Sequence, residues 1–155
     1  MHATTRLMAN TIERCRGKFK SFLDVGTGTG ILSLIALKSQ AQNVDALDVD
    51  RHVFKTTREN FANNLLKARA FIKSDIKGFK TGRKYDFVAA NLITHELIKA
   101  KRKLAALVKP GGYLAVCGIT INNLETLKEG FQKLPLRCIK IQKAEGWVAL
   151  LYKRI

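Results

Sequence analysis

Short apolar runs alternate with longer stretches of helical periodicity from one end of the chain to the other. A helical pattern covers Thr4 to Cys15, and Phe19 to Val25 then reads as a buried strand. Ile31 to Lys38 places Leu32, Ile35 and Ala36 on one face of a helix, and Val44 to Val49 is a second strand. Asp50 is a residue type that starts helices, which predicts one from about Arg51 to Leu66. Arg69 to Lys73 is a short third strand, followed by a polar segment through Lys84. Tyr85 to Ala90 is a fourth strand and Ile93 to Val108 a long amphipathic helix. Pro110-Gly111-Gly112 predicts a sharp turn into a fifth strand, Tyr113 to Cys117, and Asn122 or Asn123 starts a helix reaching Lys133. Leu136 to Gln142 and Trp147 to Lys153 complete the pattern as a hairpin across Lys143 to Gly146. Strands alternating with helices predict an α/β, Rossmann-like fold: seven strands, mostly parallel, helices on both faces, and a C-terminal antiparallel hairpin. No repeat, low-complexity tract or linker interrupts it, so residues 1–155 are expected to form one domain.

Composition narrows the setting. The 46% hydrophobic content is that of a folded protein with a real core. No apolar stretch approaches the ~18 residues that cross a bilayer, and Met1 to Arg16 is too polar for a secretory signal, so no membrane partner is expected. Cys15, Cys117 and Cys138 lie far apart with no CxxC spacing, which argues against a disulfide framework or a metal site and predicts a reducing, cytoplasmic setting.

The 28 Lys and Arg against 12 Asp and Glu give a formal charge of +16. Such a field favours encounter with RNA, ribosomes or other polyanions, although ordinary lysine-rich solvated faces produce the same count. The basic residues are spread along the chain, apart from a modest cluster at Lys99, Lys101, Arg102 and Lys103. Every Asp, by contrast, lies between Asp24 and Asp86.

Those aspartates meet the most informative motif. Gly26, Gly28 and Gly30 alternate directly after a strand and open a helix, which lets backbone approach a ligand closely. A dinucleotide fingerprint would read GxGxxG and hold a pyrophosphate on the helix N-terminus. Here the spacing is GxGxG, and Asp24 precedes it. A carboxylate there repels a pyrophosphate and suits the ammonium group of a methionine moiety. Asp48, at the end of the second strand, is placed to take both hydroxyls of an adenosine ribose. Asp75, closing the third strand, is expected to face the adenine amino group, with Ile76 against the ring. The set predicts an adenosine-plus-amino-acid site, hence S-adenosyl-L-methionine rather than NAD, with S-adenosyl-L-homocysteine as product.

Beyond the loop, His2-Ala3-Thr4-Thr5-Arg6-Leu7, Leu23 to Leu32, Ala90-Asn91-Leu92-Ile93, Lys109 to Tyr113 and Glu145-Gly146-Trp147-Val148-Ala149-Leu150 resemble the ribosomal protein L-11 methyltransferase (PrmA) family, within the class I S-adenosylmethionine-dependent methyltransferases. The blocks run from the first residues to the last. The resemblance implies methylation of amino groups, lysine side chains or an N-terminal amine, on a basic ribosomal protein. It also implies cofactor contacts at Thr5, Gly26, Asp48 and Asn91, of which the residue pattern selects Gly26 and Asp48 by itself. Two departures are expected to matter. The family's N-terminal substrate-recognition domain is absent from these residues, and His95 and Glu96 follow Asn91 where small or acidic residues and a proline are expected.

The chemistry asks little of the protein. A sulfonium activates its own methyl group, so the enzyme must hold an acceptor in line at ~3 to 3.5 Å in a dry cavity. Asn91, at the end of the fourth strand, is the candidate catalytic residue that orients an acceptor nitrogen through its amide oxygen; the alternative is that it caps the following helix. Asn91-Leu92-Ile93-Thr94 lacks the proline and aromatic residue with which adenine-amine methyltransferases stack a flipped base. His95-Glu96 fails the HExxH zinc pattern because Lys99 occupies the second histidine position. His2 is expected beside the cofactor, and Trp147 either packs in the hairpin or lines the acceptor channel. Three readings remain: a protein amine methyltransferase, an RNA methyltransferase of the same fold, and a non-catalytic cofactor-binding module.

Overall fold

The computed structural model describes all 155 residues. Its elements are α1 (Ala3–Arg14), β1 (Ser21–Val25), α2 (Ile31–Lys38), β2 (Asn43–Asp48), α3 (Val53–Asn63), β3 (Ala70–Lys73), β4 (Tyr85–Asn91), α4 (Thr94–Leu107), β5 (Val108–Thr120), α5 (Leu124–Phe131), β6 (Leu136–Ala144) and β7 (Trp147–Arg154). The seven strands form one sheet in the order β3-β2-β1-β4-β5-β7-β6. All pairs through β5 are parallel, and β7 runs antiparallel to both β5 and β6. Strand order reverses between β1 and β4. In open α/β sheets the crevice beyond the strand C-termini at such a point is where ligands sit.

Alternation along the strands builds two cores. Leu23 and Val25 of β1 join Val88, Ala90, Leu114 and Val116 under α4 and α5. Phe22, Phe87, Ala89 and Ala115 face the other way, against Leu7, Met8 and Ile12 of α1 and Leu32 and Ala36 of α2. The Phe22 and Phe87 rings stack at 5.2 Å. A sheet buried on both faces explains why its central strands read as continuous apolar runs.

Several boundaries differ from the sequence expectation, for identifiable reasons. The third helix begins at Val53, because the Asp50 carboxylate accepts from His52 N (2.9 Å) and closes a separate turn first. It ends at Asn63, since Leu65 adopts a left-handed backbone (φ 56°). The Pro110-Gly111-Gly112 segment is not a turn ahead of the fifth strand. It is a bulge inside β5, lying between the Tyr85–Val108 and Phe87–Tyr113 pairs. Neither Asn122 nor Asn123 caps α5 with its side chain; Ile121–Asn123 forms a 3-10 turn instead. The hairpin is tighter than expected, with only Glu145 (φ 51°) and Gly146 (φ 81°) between β6 and β7.

At the N-terminal ends of the strands, carboxylates tie the sheet together. Asp86 Oδ2 accepts from Lys20 N and Ser21 N, both at 2.9 Å, and its Oδ1 lies 3.1 Å from Lys109 Nζ. Buried Asp45 accepts from Tyr85 Oη (2.6 Å) and pairs with Arg69, joining β2, β3 and β4.

Candidate active site

β1 delivers the chain into the switch-point crevice, and the loop from Gly26 to Gly30 turns it into α2. Gly26 N and Thr27 N donate to Leu47 O at 2.8 and 2.9 Å, fastening the loop to β2. From α3, Thr57 Oγ1 donates to Gly28 O (2.7 Å) and Asn60 Nδ2 to Thr29 O (2.8 Å). Gly28 and Gly30 serve different ends. Both have positive φ, 55° and 82°. A Cβ at Gly30 would lie 2.6 Å from Thr57 Cγ2, so that glycine lets α3 close on the loop. A Cβ at Gly28 would meet nothing within 4 Å; its backbone borders open space.

The carboxylates named from the sequence divide in the same way. Asp24 is buried beneath the loop, with one oxygen accepting from Thr27 Oγ1 (2.8 Å), Ser33 N (3.1 Å) and Ser33 Oγ (2.7 Å). Burial raises its pKa, opposed by those bonds and assisted by the nearby Asp48 charge. Its second oxygen is buried with no partner. Asp48 accepts from Gly28 N and, through its other oxygen, from Asp50 N, both at 3.0 Å. Asp75 lies two residues beyond β3 rather than closing it, in a turn where it accepts from Gly78 N (2.5 Å).

A cavity of about 370 Å³ opens at the C-terminal ends of these strands. Val25, Gly26, Leu47, Asp48, Val49, Ser74, Asp75, Ile76, Leu92 and Glu96 line it. That volume suits a small-molecule ligand, and the wall is apolar with carboxylates at few points. Other hollows, such as one of about 520 Å³ between α4 and α5, have no glycine loop and no strand-end carboxylate. Gly26, Asp48, Asp75 and Ile76 are thus brought to one wall, while Asp24 stands behind it.

Asn91, the last residue of β4, lies across the switch point from the loop. Its Nδ2 donates to Thr4 Oγ1 at 3.4 Å, and Thr4 Oγ1 is 2.8 Å from His2 Nδ1. The His2 ring meets Trp147 edge-on, centroids 5.5 Å apart. Arg6 and Glu145 bridge α1 to the β6–β7 turn at 2.8 Å. Thr4, which engages Asn91, is not among the residues named from the sequence; Thr5, named as a cofactor contact, is half-buried one position along. The available signal was helical phase: of the two threonines only Thr4 is buried against the sheet. Glu96, exposed in the first turn of α4, stands on the cavity rim, a place the sequence pattern did not assign to it. No group of three or more His, Cys, Asp and Glu side chains is arranged closely enough to hold a metal ion.

Sheet order, antiparallel β7, glycine loop and strand-end carboxylate together define the class I S-adenosylmethionine-dependent methyltransferase fold. Comparison with known proteins narrows this. The family model described as Ribosomal protein L11 methyltransferase (PrmA) matches residues 1–155, and the chain belongs to that family. A ribosomal protein L11 methyltransferase of Geobacter metallireducens is 34% identical over 154 residues, spanning 98% of this chain and 50% of the relative. That of Bacillus velezensis is 31% identical, over 99% of this chain and 49% of its own length. The chain therefore spans about half the length of these curated relatives. The crystal structure of a ribosomal protein L11 methylase from Lactobacillus delbrueckii subsp. bulgaricus superposes with a TM-score of 0.93 at 27% identity, covering 99% of this chain and 79% of that one.

Proposed function

We propose that residues 1–155 form the methyl-transferring domain of an S-adenosyl-L-methionine-dependent protein methyltransferase, acting on a lysine or N-terminal amine of a ribosomal protein. Family membership supports the acceptor class. The observation that carries the chemistry is Asn91. Its amide N–H is engaged by Thr4, which leaves its carbonyl oxygen to accept a hydrogen bond from an amine N–H.

In this reading the backbone at Gly26, Gly28 and Gly30 borders the amino-acid end of the cofactor. Asp24, buried beneath the loop, sets negative charge under the ammonium group, and open space beside Gly28 accommodates that group. Asp48 holds the ribose, Asp75 and Ile76 the adenine, and Thr5 borders the site from α1. The bound sulfonium supplies an electrophilic methyl group. Asn91 accepts from the acceptor nitrogen and turns its lone pair inward. Only the neutral amine attacks, and a free lysine has a pKa of ~10.4, so the rate rises with pH until the acceptor is deprotonated. Asp48, Asp50, Asp75 and Glu96 make the mouth acidic, which favours arrival of a basic protein. No helix is long and apolar enough to cross a membrane. The free cysteines agree with our placement of the reaction in the cytoplasm.

Incubating the chain with methyl-labelled cofactor and a ribosomal protein fraction tests the reading. Label resistant to RNase and stable in protein is expected. Label confined to RNA, or tight cofactor binding with no transfer, would overturn it.

A further inference from the structure

The charge of this molecule is sorted by pole. The connectors that feed the parallel strands, Cys15–Lys20, Ser39–Gln42, Asn64–Arg69 and Thr81–Lys84, contain no Asp or Glu at all. The opposite end, where the strands stop, carries Asp48, Asp50, Asp75 and Glu96, interspersed with Arg51, Lys73 and Lys77, and Glu145 paired with Arg6. Against the basic pole lies a cleft of about 290 Å³ whose charged lining residues are Arg69, Arg83, Lys84 and Lys109, beside Ser21 and Asn43. Two of these cations are partly neutralised, Arg69 by buried Asp45 and Lys109 by Asp86. Arg83, Lys84 and the neighbouring Lys20 are exposed and have no carboxylate partner.

We infer that this cleft binds duplex RNA by its phosphodiester backbone, at the pole opposite the methyl-transfer mouth. An exposed, unpaired guanidinium at Arg83 with Lys84 beside it, open to solvent, is the chemistry that recognises successive phosphates. The same surface repels the basic protein acceptor proposed for the other pole, so the two partners are separated by sign of charge as well as by position. The mode of binding follows from what is missing. Tyr85, the one aromatic residue in the lining, is buried, and no Phe, Tyr or Trp is among the large exposed hydrophobic side chains, so the cleft offers no ring on which unpaired bases stack. Backbone contact along a helix remains, and it is independent of base sequence.

The inference does not rest on the methyl-transfer reading, and its test contains no cofactor. A fluorescent RNA hairpin of ~16 base pairs is titrated with the chain at several salt concentrations, read by anisotropy. Arg83→Gln/Lys84→Gln is compared with the native chain and with Lys101→Gln/Lys103→Gln, which removes the same charge from α4. Thermal melting checks that each variant is folded, and Lys20→Gln supplies a second probe at the basic pole. Binding with a steep salt dependence is expected. The Arg83/Lys84 pair should lose about 10-fold in affinity and lower the slope of log K against log salt by roughly 1 to 2, while the α4 pair changes neither appreciably. Absence of binding by the native chain, equal losses in the two double variants, or displacement of the RNA by polyglutamate as readily as by unlabelled duplex would each overturn it. The last outcome would mark the cleft as a site for acidic protein.

Discussion

Single residues carry the chemistry and one of the clearest stability effects. Asn91 touches the acceptor in the proposed reaction, so replacing it by Ala removes the group that orients the amine. Turnover should fall about 10²- to 10³-fold, the usual cost of losing one positioned polar group in an active site. Single-turnover transfer of labelled methyl, with KM recorded separately, checks this; a loss confined to KM would assign Asn91 to binding alone. Asp86 acts on stability instead. Burial raises its pKa, but the N–H groups of Ser21 and Lys20 and the Lys109 ammonium outweigh that and hold it at about 2, below 3.8. Because the folded value is depressed, its contribution is present above pH ~4 and is lost as pH falls from 3.8 toward 2. Asp86→Asn should therefore cost about 1 kcal/mol at pH 7 once solvent screening is allowed for, with the difference from the native chain closing near pH 2. Urea unfolding at a series of pH values measures it. At this scale Asp48 was legible, since the apolar run of the second strand sets it at the strand's C-terminal end, where it lines the cavity. Thr4 was not, because choosing between adjacent threonines requires knowing which one α1 turns toward Asn91.

The glycine loop shows how an element combines packing with an open site. Gly30→Ala adds left-handed strain, ~1 to 2 kcal/mol, to a methyl group 2.6 Å from Thr57 Cγ2. It should lower stability by about 3 kcal/mol. Gly28→Ala meets no atom, so it should cost only about 1 kcal/mol while its methyl group enters the space proposed for the cofactor. Affinity for S-adenosylmethionine should then fall about 10-fold or more, read by calorimetry on a chain whose melting temperature has moved by only a few degrees. Reversal of this order, with Gly28→Ala the less stable variant, would contradict the division of roles. The loop was legible because strand, GxGxG and helix are consecutive in sequence. The Pro110-Gly111-Gly112 bulge was not. Pro and Gly signal a reversal locally, whereas here a Cβ at Gly112 would lie 2.8 Å from Asp86 O, so its close fit depends on β4, a neighbour distant in sequence. The start of α3 was misplaced for a related reason: Asp50 has the chemistry of a helix cap and uses it on a turn.

Across the whole molecule, the succession of strands and helices was readable from alternation, but the polarity of charge was not. It emerges only when the connectors at each end of the sheet are gathered in space. The proposed acceptor is basic and must reach an acidic mouth, so long-range attraction should assist its arrival and fade as salt shortens the screening length to ~8 Å at 0.15 M. Glu96 is the test of that field. It stands on the cavity rim, exposed, and makes no ion pair. Glu96→Gln keeps its shape and removes its charge. For a basic protein acceptor at low salt, KM should rise several-fold with kcat nearly unchanged, and the difference should shrink as salt is added. For a small neutral amine acceptor the same variant should behave like the native chain, because it has no charge for the mouth to attract. A salt-independent fall in kcat with both acceptors would instead make Glu96 part of the transfer chemistry. The acidic mouth would then be a local feature of the site, not one pole of a molecule whose other end is basic.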